Sequence, residues 1–74
     1  MNKERRKAIA KARDMVAEAL SLIETARDDE QDAFDGMPEN LQDSERGEAL
    51  EENVQSLSDV VEALEVAFDE VEDI

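Results

Sequence analysis

The chain has no cysteine, histidine, tyrosine or tryptophan among its 74 residues. Without cysteine there is no disulfide, and without cysteine or histidine a structural zinc ion has no usual ligands. A single proline and two glycines leave few places for the backbone to break. Long apolar runs are missing too. No stretch approaches the roughly 18 uncharged residues of a membrane span, and the basic start Lys3 to Arg13 runs into charge, not into a signal-peptide core. A domain this small buries only about 60% of its unfolded surface. Well-packed helices and oligomerisation are the reinforcements left to it.

Positive charge is scarce and confined to one place. The chain carries 22 acidic and 8 basic side chains, for a net charge of -14. Six of the basic groups, Lys3, Arg5, Arg6, Lys7, Lys11 and Arg13, lie within the first 13 residues, where Glu4 is the only acid. Beyond them Arg27 and Arg46 face 21 acids. Such a surface repels nucleic acid and anionic membrane and attracts basic proteins, so neither membrane association nor direct nucleic-acid binding is expected. High net charge with two aromatic residues is a disorder-like composition. The periodicity of the apolar residues overrules that reading.

From Leu50 onward, Leu50, Val54, Leu57, Val61, Leu64, Phe68 and Val71 alternate in steps of four and three, which marks one helix face. Val54, Val61 and Phe68 fall at heptad position a, and the other four at d. A second row, Val60, Ala67 and Ile74 with Ala63 beside it, widens the stripe beyond what one neighbouring helix covers. The first segment repeats every seven residues as well. Ile9, Val16 and Ile23 form one row and Ala12, Ala19, Ala26 and Ala33 the next, flanked by Met15 and Leu22 on one side and Leu20 and Phe34 on the other. The small alanines suit close approach by another helix.

The pattern predicts an all-α fold in a single domain. Its form is an antiparallel two-helix hairpin, with a helix over about 3–34, a connection over about 35–44 and a helix over about 45–73. The hairpin is expected to assemble into a four-helix bundle or larger helical oligomer, whose core is Ile9, Val16, Ile23 and the seam from Leu50 to Val71. Gly36 is expected to end the first helix in the left-handed conformation. Pro38 then opens a short turn to Gln42, with Leu41 covering the open end of the hairpin. Asp43 or Ser44 caps the second helix, with Glu45 and Glu48 near its positive end. Gly47 stands where a capping box would place Glu, at a cost of up to about 1 kcal/mol against Ala, which points to close backbone contact. Folding back sets the basic start beside Glu62, Glu65, Asp69, Glu70, Glu72 and Asp73, and ion pairs there are expected to fix the register.

No enzyme and no cofactor are expected. Ser21, Thr25, Ser44, Ser56 and Ser58 have no base to activate them, and the carboxylates lack an enclosing pocket. The run Asp28, Asp29, Glu30, Asp32, Asp35 lacks the spacing of an EF-hand loop and reads as a solvated face, so no metal site is expected. Two binding features remain. Asn40, Gln42, Ser44 and Arg46 form a candidate recognition tip, in competition with a plain turn and cap in which Arg46 pairs with Glu48 or Asp43. Asp28, Asp29, Glu62 and Glu65 are candidate acidic contacts for a basic partner.

The start Glu4-Arg5-Arg6-Lys7 and the central stretch from Ala33-Phe34-Asp35-Gly36-Met37-Pro38 to Ser44-Glu45-Arg46-Gly47-Glu48 carry a resemblance. The chain resembles a family of short, mostly uncharacterised helical-hairpin proteins encoded by tailed bacteriophages. The resemblance covers nearly the whole chain, and residues 33–48 are its specific part. It implies a phage or prophage product acting in the bacterial cytoplasm, and it transfers no catalytic residue. The leading expectation is a small acidic interaction protein that self-associates and binds or inhibits a host protein with a basic surface, for example one that handles nucleic acid or serves in defence. The alternatives are an oligomeric sponge for a small signalling nucleotide and a structural or assembly factor with no inhibitory role.

Overall fold

The structure, a computed structural model, describes residues 2–74. It is all-helical: α1 spans Lys3–Asp35, a single turn α2 spans Glu39–Gln42, and α3 spans Glu45–Glu72. α1 begins at Asn2, whose side-chain carbonyl accepts the backbone N–H of Arg5 at 2.9 Å and so satisfies one of the amides orphaned at a helix start. The helix ends ahead of Pro38, which has no N–H to extend the ladder and restricts Met37 to extended backbone. Gly36 is right-handed, with φ -76°, and not left-handed as the sequence suggested. Its N–H donates to the Asp32 carbonyl at 2.9 Å, and the Met37 N–H donates to Phe34 at 3.1 Å, so a tightened last turn closes the helix instead. Pro38 is itself the cap of α2, with ψ 140°, one residue earlier than a first helical position.

Ser44, not Asp43, caps α3: its hydroxyl oxygen accepts the Gly47 N–H at 3.3 Å and its hydroxyl donates to the Leu41 carbonyl. Gly47 is buried, and a Cβ there would lie 2.1 Å from the Gln42 carbonyl oxygen. The close contact expected of this glycine is therefore with α2. Leu41 does not cover the end of the hairpin, being 44% exposed. Gln42 and Met37 are half-buried there. The Gln42 side-chain amide donates to the carbonyls of Phe34, at 3.3 Å, and Met37, at 3.5 Å. The Gln42 amide thus gives the Met37 carbonyl a donor and the Phe34 carbonyl a second one, which a leucine side chain cannot supply.

α3 returns alongside α1 in the antiparallel sense. At one end the Asn53 side-chain amide donates to Glu30 at 3.1 Å, and at the other Arg6, Ile9 and Arg13 lie beside Val71, Glu72 and Ile74. These contacts set a register that brings Val16 level with Phe68, Leu20 with Leu64, Ile23 with Val61 and Phe34 with Leu50. Val61 is the one apolar side chain buried in the described residues, at 3% exposure; its six companions on the α3 seam are half-buried. The α1 side of the seam is Ile9, Arg13, Val16, Leu20, Ile23, Arg27, Glu30 and Phe34, all half-buried. The alanine row does not take this place. Ala19 and Ala26 lie half-buried on the flank, and Ala12 and Ala33 are exposed. Steps of four and three from Ile9 select positions 13, 20, 27 and 34, and the aliphatic stems of the two arginines cover the seam while their heads reach outward. The product is a rod of 59 × 14 × 14 Å, with a radius of gyration of 17.0 Å. A compact domain of this length would have about 11 Å.

Candidate interaction surfaces

The pairing gives the rod two unlike sides. In an antiparallel pair, the positions flanking the seam on one side of α1 adjoin the same lettered positions of α3. The g positions of α1 are Arg5, Ala12, Ala19, Ala26 and Ala33, and those of α3 are Arg46, Asn53, Val60 and Ala67. Next to them, at c, stand Ala8, Met15 and Leu22 on α1 and Ala49, Ser56 and Ala63 on α3. Both second rows therefore share one side of the rod and form an apolar face, interrupted by Asp29, Asn53, Ser56 and Glu70 and bounded by Arg5 and Arg46 near its ends. Met15, Leu22 and Val60 stand out from it at 61%, 65% and 42% exposure. Across the rod, positions b and e hold Asp14, Glu24, Asp28 and Asp35 on α1 and Glu48, Glu51, Glu62, Glu65, Asp69 and Glu72 on α3, with Lys3 and Lys7 as the bases.

Of the candidate acidic contacts, Asp28, Glu62 and Glu65 are exposed on this acidic face. Asp29 is also exposed, at the edge of the apolar face. The candidate tip divides. Gln42 and Ser44 are occupied in closing α1 and capping α3, while Asn40 and Arg46 are exposed. Among the described residues the ion pairs are Arg13 with Asp14, at 3.6 Å, and Arg27 with Asp28, at 3.3 Å. The pairs expected between the basic start and the end of α3 are therefore not made, nor does Arg46 pair with Glu48 or Asp43. Holding two long exposed side chains in one geometry costs rotamer freedom that a solvated ion pair barely offsets. Arg6 and Arg13 instead border a shallow groove floored by Ile9, Ala10, Val71 and Ile74, with Glu72 on its rim.

Among the described residues no group of carboxylates is arranged to hold a metal ion, and no helix is long and apolar enough to cross a membrane. No family model, no curated protein and no solved structure matches the chain. The extension of the apolar face across both helices is the feature that sequence reading missed. Its signal was present: once heptad letters are carried from Ile9 through α1, the alanines fall at g, the letter already held by Val60, Ala67 and Ile74.

Proposed function

We propose that the chain is a small acidic interaction protein that self-associates and binds a basic surface of a host protein. The observation that carries this reading is the acidic face, where ten carboxylates share one side of the rod with two lysines at its open end. Only two of the ten, Asp14 and Asp28, have an ion-pair partner. Carboxylates spread along a 59 Å rod present a charge pattern that a groove built for a polyanion would accept. The resemblance to phage-encoded hairpins supports a bacterial host cell, and its cytoplasm, as the setting. On this reading Asp28, Glu62 and Glu65 form the contact, and Asn40 and Arg46 at the exposed tip orient it.

Capture of host proteins on immobilised chain, at low and at high salt, tests the proposal. A specific partner should be held at low salt and released at high salt. Changing Glu62 and Glu65 together to Gln should preserve helicity while slowing association roughly tenfold and flattening its salt dependence. A partner bound equally well by that variant would overturn the acidic contact. The groove beside Arg6 and Arg13 favours the nucleotide sponge as a second reading, although no aromatic side chain lines it. A nucleotide that co-purifies and raises the melting temperature, with no protein captured, would replace the first reading by the second.

A further inference from the structure

We infer that the apolar face bearing Met15, Leu22 and Val60 is the seat of a second copy of this chain, lying head to tail so that the tip of one rod meets the open end of the other. The occupant follows from area and charge together. The lone hairpin exposes 5693 Å², whereas a compact folded chain of 8.3 kDa exposes about 4,600 Å². That excess of about 1,100 Å² is of the order that one partner loses in a standard interface, roughly 800 Å². The face supplies the footprint, because it runs along a rod 59 Å long and 14 Å wide. Steps of four and three continue through it on α1 from Ala8 by way of Met15 and Leu22 to Ala26, the spacing a second helical layer requires. The opposite face, crowded with carboxylates, would repel its own copy.

Charge selects the orientation. The tip half of the rod, residues 28–52, holds eleven acids and one base, Arg46. The open end brings the six basic groups of residues 3–13 together with five acids, Glu4, Asp69, Glu70, Glu72 and Asp73. Two rods side by side in the same direction would set tip against tip and concentrate the repulsion. Reversing one rod sets each acidic tip against the other's basic start, whose side chains reach no acid of α3 within their own hairpin. The apolar face is centred near Leu22, so the two-fold axis passes close to that residue and both arrangements bury the same area. Self-association belongs to the function proposed above, and this inference specifies its surface and direction.

The test uses the intact chain, which has no cysteine of its own. Light scattering should give twice the 8.3 kDa of the chain at micromolar concentration. A nitroxide on Asn40→Cys then reports orientation by the distance between the two labels. Head-to-tail pairing places the tips at opposite ends of the assembly, beyond about 45 Å, and same-direction pairing places them within about 25 Å. Leu22→Glu should weaken self-association by at least about 30-fold. A monomer of the unaltered chain, labels close together, or a Leu22→Glu dimer of undiminished affinity would each overturn the inference. Unfolding of Leu22→Glu would leave the label distance to decide. Capture of a host partner by a monomeric chain would discard this interface and keep the acidic contact, whereas a head-to-tail dimer indifferent to Glu62 and Glu65 would do the reverse.

Discussion

Gly47 sets local propensity against packing. Alanine in the first turn of a helix should gain up to about 1 kcal/mol over glycine. Its Cβ, however, would sit 2.1 Å from the backbone oxygen of Gln42 and 2.6 Å from the carbonyl carbon, and neither atom can rotate away. We expect Gly47→Ala to lower stability by about 1–3 kcal/mol, the range of overpacked sites, as read by urea denaturation. An unchanged or raised midpoint would show that α2 does not lean on α3. Beside it, Ser44→Ala removes the acceptor for the Gly47 N–H and should cost about 1 kcal/mol by the same measurement. The glycine signal was legible in the sequence because a glycine at the third helical position contradicts capping preference. Gly36 misled for the opposite reason: it suits a left-handed terminus, but Pro38 already stops the helix and leaves the glycine no such task.

The seam of α3 was legible at the scale of the element because seven apolar residues keep one spacing without interruption, and each of them is half-buried or buried against α1. The α1 seam was harder to read. Arg13, Arg27 and Glu30 interrupt it, while the alanines form a cleaner row that faces elsewhere, and apolarity alone cannot tell a covered row from an exposed one. Two substitutions separate the rows. Leu64→Asp would leave a charge among Leu20 and its neighbours and should unfold the hairpin, seen as loss of helical circular dichroism. Val66→Asp, two residues on and facing the outer surface, should change stability by less than about 0.5 kcal/mol. Arg27 offers the converse test, since its only ion-pair partner, Asp28, is an exposed neighbour in sequence. Arg27→Leu should raise stability by about 1 kcal/mol by adding apolar contact opposite Leu57. A loss on that change would mean that the arginine stem already fills the seam.

At the scale of the whole molecule, charge and apolar surface are divided between directions: apolar against acidic across the rod, and basic-containing against acidic along it. Composition announced the acidity but could not place it, because only the antiparallel register brings the two polar flanks to one side. That division yields a prediction about salt. Twenty-two carboxylates crowd a rod 14 Å across, and the ion pairs among the described residues are two, both between sequence neighbours. Repulsion between acids therefore has little attraction set against it, within one chain or between two chains of net charge -14. Raising ionic strength from about 0.01 M to about 0.15 M shortens the screening length from about 30 Å to about 8 Å, from half the rod to less than its width. Repulsion along and across the rod is then screened, while the burial of Val61 and the seam around it is hardly affected. Melting temperature should rise over this range, and self-association should strengthen with it, because the contact that selects head-to-tail pairing is smaller than the repulsion between the whole rods. A melting temperature that falls as sodium chloride is added would show that attraction by the Lys3 to Arg13 segment outweighs the repulsion of the rest.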